Sequence, residues 1–455
     1  MRELRDTLEI ISREIRRAKR EPYSIELSNA DIEQEDGGAF IRINSMLEVG
    51  EGSSPGTIQD VAIAFNELLR DDKILAIDGG SEIISFNRCK VAVACVYAFL
   101  KDVNTIFGYP NLSKESINLP TDDLMPYIAF KPVDTNDDSK VKGIIRRRPN
   151  INDVKEFREY FYYTDAYDTS TMTNEIRTDL ENYMLKYCIK KFSNYLIIID
   201  GPLFYIPSIL KDTGRIVSEI SSDISTGQEV RRAAACIYVY INVYLRLLSD
   251  RIKLLNECYH NGIEIVGVVK RIENAKYLAR SLGIPERNDV DVLEGFVERL
   301  LIRGDPPYKP LAIGPIKLEL NVSEPKELIE RLDTYGLGEA IRLNMGELLK
   351  QKHILKYIYY IIYPLDPYDK DFENFRYFRV EIPEWLNDRA YEILQRVLYD
   401  VRVGLENDRL ALPDTLKKVD RRCKEEVGGY KEYIKNFGPS ILRTSLVYDE
   451  MIRGV

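Results

Sequence analysis

The chain has 455 residues, of which 45% are hydrophobic and 30% charged. This is the profile of a globular protein with ample core, two or three units or one elaborated domain, and it excludes a disordered chain. A net charge of −9 excludes little, because nucleic-acid binding depends on local patches rather than on the sign of the whole molecule.

Residues 1–21 read as an amphipathic helix with Leu4, Leu8, Ile11 and Ile15 on one face. The segment is too charged for a signal peptide, and no apolar run reaches the roughly 18 residues of a membrane span, so a cytoplasmic protein without membrane contact is expected. Gly50–Gly56 (GEGSSPG) reads as a linker and Gln59–Leu69 as a short helix. Lys73–Ile77 is a buried strand running into a Gly-rich turn after Asp78, and Lys90–Leu100 is a second strand. Both are nearly continuous in apolar residues, as in a sheet covered on two faces. Residues 103–150 form a loop-rich insertion. Helix resumes from Asp153 to Phe192, broken near Thr169–Thr173. A strand within Asn194–Pro207 ends at Asp200-Gly201, a helix spans Gly227–Tyr259, and Ile263–Arg271 is a third buried strand carrying Lys270 at its end. Helices over Ala275–Leu282 and Val290–Leu301 precede two aromatic strands, His353–Leu365 and Phe375–Ile382, which can pair antiparallel. Trp385–Val401 and Pro413–Glu426 are helical. The expected division is 1–56 as N-terminal helix and linker, 57–430 as the main domain, and 431–455 as a C-terminal extension. Alternating strands and helices define an α/β protein with a mixed sheet flanked by helices, with helical and loop insertions. Neither G-x-G-x-x-G nor G-x-x-x-x-G-K-[ST] occurs, which disfavours dinucleotide-binding and P-loop functions.

Only two histidines are present, His260 and His353, and the six cysteines form no C-x-x-C pair. A three-histidine zinc site is impossible and a thiolate zinc site is disfavoured, so catalysis would rest on carboxylates and lysines. Basic clusters at 13–20, 146–148, 231–232 and 417–422 each read as solvated faces. Two strands end alike, AIDGG at Asp78 and IIDGP at Asp200, which aims carboxylates into the crevice where α/β sheets place their sites. A single Asp-Gly is an ordinary turn; two behind apolar strands are more informative. Glu181 borders the apolar stripe of the helix entering the Asp200 strand, and Lys270 ends a third strand. Carboxylates with a lysine are the set used by metal-dependent phosphodiesterases, with oxygen ligands suited to Mn²⁺ or Mg²⁺, and clustered carboxylates call for a cation.

These blocks, AIDGGS, the L-E helix entering IIDGPL, GIEIVGVVKR and LPDTLKKVD, resemble the NurA family over residues 70–425. The resemblance implies a ribonuclease-H-like core and a nuclease acting on single-stranded DNA and 5′ ends of duplexes. It also implies a Mn²⁺ (or Mg²⁺) centre of two ions, a homodimer, and a HerA-like hexameric ATPase as partner in DNA-end resection. By position, Asp78, Glu181 and Asp200 match the family's metal-binding acids and Lys270 its strand-end lysine. Asp420 stands where many members carry a histidine, and Leu412 stands where they carry a tyrosine before the proline. That departure leaves open a DNA-binding protein that does not cut, or an adaptor for a hexameric motor. An actin-like ATPase would need further Gly-rich phosphate loops.

Overall fold

The computed structural model describes residues 41–47, 61–86, 89–109, 128–132, 169–206, 227–303, 307–333, 342, 348, 350, 353–366, 374–408, 411–442 and 446. The expected N-terminal helix and the 50–56 linker lie outside these residues, as does most of 103–150.

One sheet of eleven strands organises the described residues, in the order β1-β9-β10-β11-β8-β7-β3-β4-β5. Along that path β1 is Ile41–Leu47, β9 Leu311–Val322, β10 His353–Pro364, β11 Phe375–Pro383, β8 Ile265–Val269, β7 Leu196–Asp200, β3 Ile74–Ser85, β4 Cys89–Leu100 and β5 Thr105–Tyr109. Two short strands attach to its sides, β2 (Ala62–Ala64) to β9 and β6 (Ile128–Pro132) to β4. At the centre β3, β7 and β8 run parallel, while β3-β4-β5 and β8-β11-β10-β9 are antiparallel on either side.

Helices cover both faces, so the central strands are apolar at every position. Odd-numbered Leu75, Ile77, Ile197 and Ile199 share a core with α1 (Thr169–Lys191), α2 (Gly227–His260), α3 (Tyr277–Ser281) and α4 (Asp289–Ile302). Even-numbered Ile74, Ala76, Leu196 and Ile198 pack with α6 (Ala390–Asp408) and α7 (Asp414–Leu442) on the other face. A short α5 (Lys326–Asp333) follows β9.

Several expected elements are changed. The segment read as a helix over Gln59–Leu69 instead contributes β2, which pairs Ala62–Ala64 with Leu311–Ile313. A three-residue sheet partner outweighs weak local helix propensity there. The insertion contributes β5 and β6 as partners of β4, and α7 runs through the expected boundary at 430. The largest change concerns Asp78. β3 does not turn after it but continues to Ser85, because β4 pairs with it in register from Leu75↔Leu100 to Ser85↔Lys90. The two aromatic strands do pair antiparallel, from Lys356↔Pro383 to Pro364↔Phe375.

Candidate metal centre

Asp78 is placed by a change of partner along β3. Ile74–Ile77 pair with Leu196–Ile199 of β7, and β7 ends at Asp200. From Asp78 onward, β3 no longer has β7 beside it, so Asp78, Asp200 and the residue after β8, Lys270, share the crevice at the carboxyl ends of the parallel strands.

The glycines after Asp78 serve close approach rather than a turn. A Cβ on Gly79 would stand 2.5 Å from Arg177 Cγ and 2.8 Å from Glu181 Oε1, on α1. A Cβ on Gly80 would stand 2.9 Å from Cys423 Cβ, on α7. Two helices therefore press on opposite faces of β3 just past the aspartate. Gly201, by contrast, is a turn glycine with φ of +103°.

Asp420 comes from α7. Leu416, Val419, Cys423, Val427 and Tyr430 are buried at helical spacing, and Asp420 sits on the border of that stripe. Asp400 of α6 fixes the start of the helix by accepting from Thr415 N at 3.1 Å and Thr415 Oγ1 at 2.6 Å. Cys423 Sγ donates to the Asp78 carbonyl at 3.3 Å, tying α7 to β3 at the site.

The result is a compact cluster. One carboxylate oxygen from each of Asp78, Asp200 and Asp420 lies within 4.8 Å of the others. Lys270 Nζ donates to Asp200 Oδ2 at 2.6 Å, and Lys424 Nζ to Asp420 Oδ2 at 2.7 Å. Asp78 is 6% exposed. Burial first, then the Asp200 charge, pushes its carboxyl well above the usual carboxylate range, with Glu181 and Asp420 adding to the rise and Lys270 opposing it. Burial works to lower the Lys270 ammonium, but Asp200 and Asp78 outweigh it and hold its pKa above the ordinary lysine value.

Glu181 is placed differently. On the α1 face it contacts Arg177 Nε at 3.6 Å and Arg251 Nη2 at 3.5 Å, and its carboxylate is outside the three-aspartate cluster. Burial raises its pKa, with the two arginines opposing. It meets Asp200 across a shared cavity. Arg251 was not anticipated from the sequence. It donates through Nε to Asn182 Oδ1 at 2.5 Å and through Nη1 to the Leu203 carbonyl at 3.1 Å, and so links Glu181's helix to the segment after Asp200. Gly267 was also missed: a Cβ there would stand 2.7 Å from both Gly201 O and Leu203 N. No motif marks Arg251, and although Gly267 lies within the GIEIVGVVKR block, only the packing shows what it does.

An oxygen-only donor set, partly buried and holding more negative than positive charge, fits a hard divalent cation. Fold and site together define a mixed α/β protein with a carboxylate centre and an adjoining lysine at the ends of its parallel strands. The NurA-domain family model matches residues 72–435, and the chain belongs to the NurA family. No curated protein matches it in sequence. A crystal structure of NurA shares 10% identity at a TM-score of 0.42, covering 96% of this chain and 97% of that one. A NurA structure with manganese shares 11% identity at 0.38, covering 81% and 90%. One bound to dAMP and manganese shares 9% at 0.33, covering 75% and 83%. The sequence match alone carries the family assignment.

Proposed function

We propose that this protein is a metal-dependent DNA nuclease. It would act on single strands and, as a 5′–3′ exonuclease, on duplex ends, in the cytoplasm, as a homodimer working with a HerA-like hexameric ATPase in break resection. The observation that carries the chemistry is the Asp78–Asp200–Asp420 cluster beside Lys270, in a chain with a NurA domain. The order β5-β4-β3-β7-β8, antiparallel then parallel, supports a ribonuclease-H-like core.

Asp78, Asp200 and Asp420 would hold Mn²⁺ or Mg²⁺, up to two ions. Bound there, the metal would supply an activated water and charge for the leaving oxygen. Lys270 fixes Asp200 and offers a positive charge where the phosphate arrives. Glu181 joins as the fourth acid only by loosening its contacts with Arg177 and Arg251. The test is cleavage of single-stranded and duplex DNA in Mn²⁺, with EDTA and Asp78→Asn as controls. The expected result is metal-dependent cleavage that the variant loses by at least about a hundredfold. Cleavage surviving in both controls would overturn the site. A non-cutting DNA-binding adaptor has one observation in its favour: Lys270 and Lys424 already neutralise two of the three aspartates. DNA binding with no cleavage in any divalent metal would select it.

A further inference from the structure

A buried charge cluster lies on the α1 face of the sheet, one strand beyond the three that carry the site. Glu381, in β11, has no exposed surface. Its Oε1 faces Arg379, two residues earlier on the same face of the strand, at 3.0 Å, and its Oε2 faces Lys356 of β10 at 2.5 Å. Lys356 and Arg379 are buried as well. Glu381 Oε2 also accepts from the amide of Leu203, at 2.9 Å, in the segment that follows Asp200. We infer that Glu381 is a positioning residue of the metal centre, fixing the Asp200 carboxylate by holding the Leu203 amide. The inference rests on the nuclease reading and adds to it a residue outside the acidic cluster.

Gly267 makes the contact possible. It lies directly opposite Glu381 in the pairing of β8 with β11, so the two residues share one face of the sheet. The glycine leaves room for the chain after Asp200 to cross β8, where a Cβ would stand 2.7 Å from Leu203 N. β7 ends at Asp200, and Pro202 has no N–H, so only Gly201 and Leu203 can anchor the next stretch by their amides. Gly201 N donates to Val268 O at 2.8 Å, and Leu203 N is left to Glu381. Arg251 Nη1 donates to the Leu203 carbonyl at 3.1 Å, which clamps Leu203 between a buried guanidinium and a buried carboxylate. A charged acceptor holds an amide more strongly than a neutral one. Stability alone does not account for the cluster, since well-packed apolar side chains in place of a buried ion cluster are often neutral or stabilising. What apolar side chains cannot supply is an acceptor for Leu203.

Three variants of the full chain separate positioning from stability. Lys356→Met and Glu381→Gln keep an acceptor for Leu203 but break the charge balance, so both should be destabilised in urea. Met suits position 356 because Lys356 Nζ lies 4.3 Å from the centre of the Phe204 ring, a contact that a thioether can replace. The triple variant, Lys356→Met with Arg379→Met and Glu381→Leu, removes the charges and the acceptor together and should regain part of that stability. Mn²⁺ affinity, read by calorimetry, should follow the acceptor and not the stability. It should stay near the wild-type value in the two single variants and weaken by about 10- to 100-fold in the triple variant. There kcat should fall by a similar factor with KM for DNA little changed, and metal-free hydrogen exchange in a peptide spanning Leu203 should be fastest. Wild-type Mn²⁺ affinity in the triple variant would overturn the inference while leaving Asp78-dependent cleavage intact. So would a comparable weakening in a folded Lys356→Met or Glu381→Gln protein, a result that does not depend on the triple variant folding. The expected order of affinities in a protein that cuts no DNA would instead sink the nuclease reading and leave Glu381 in its role.

Discussion

Gly267→Ala isolates how the backbone after Asp200 is held. Gly267 pairs with Ile199 on one side and Glu381 on the other, in the middle of β8. The added Cβ would stand 2.7 Å from Gly201 O and from Leu203 N, and 3.1 Å from the Pro202 carbonyl carbon. The segment must retreat by about 0.7 Å to restore an ordinary 3.4 Å contact. It is pinned against doing so. Gly201 N donates to Val268 O at 2.8 Å, Leu203 N to Glu381 Oε2 at 2.9 Å, and Arg251 Nη1 to Leu203 O at 3.1 Å. Overpacking of this kind costs about 1–3 kcal/mol. Asp200 immediately precedes Gly201, so its carboxylate shifts too, and activity should fall on the order of ten- to a hundredfold. Urea denaturation and Mn²⁺-dependent cleavage read the two effects separately. Gly295→Ala is the control: a Cβ there meets nothing within 4 Å, and in the middle of α4 it should stabilise by roughly 0.5–1 kcal/mol. A Gly267→Ala protein as stable and active as the wild type would refute the reasoning.

Asp78→Asn should make the metal-free protein more stable at neutral pH while abolishing cleavage. The Asp78 carboxyl is raised above its ordinary 3.8, chiefly by burial and then by Asp200. Its contribution is therefore full below that value and is lost as pH rises through the raised one, a loss that asparagine avoids; thermal melts in EDTA across pH check it. Glu181→Gln should act on stability in the same direction but more weakly, because burial raises the Glu181 pKa while Arg177 and Arg251 oppose the rise; urea titration in EDTA at neutral pH checks it. Glu381→Gln should instead cost about 3–5 kcal/mol, since Glu381 faces Lys356 at 2.5 Å and Arg379 at 3.0 Å with all three side chains buried. Burial alone would raise the Glu381 pKa, but Lys356 and Arg379 outweigh it and hold it below the ordinary 4.5. Its contribution is present above that value and is lost as pH falls through the depressed one, so acid melts of Glu381→Gln should be flatter than those of the wild type.

Asp78, Asp200 and Lys270 were legible because each follows an uninterrupted apolar run, and such runs mark strands covered on both faces. Asp420 was legible as a position through the family resemblance, and α7 brings its carboxylate to the other two. The meaning of Gly79-Gly80 was not legible. Asp-Gly-Gly looks like a turn locally, and only the helices pressing on both faces of β3 reveal a close approach. β9 was missed because Gly314-Pro315 interrupts it. The strand survives because β10 shifts register opposite that pair, between Ile358 and Tyr360. Glu181 was read on the correct helix, but sequence could not show that its carboxylate faces Arg177 and Arg251 rather than the three aspartates.

Calorimetric titration of Mn²⁺ into the wild type and its single variants tests the central claim, that the three aspartates form one metal centre. Saturable binding of one or two ions is expected in the wild type, with loss in Asp78→Asn and Asp200→Asn, weakening in Asp420→Asn and retention in Glu181→Gln. Equal binding in the wild type and in Asp78→Asn, or none at millimolar Mn²⁺, would contradict it.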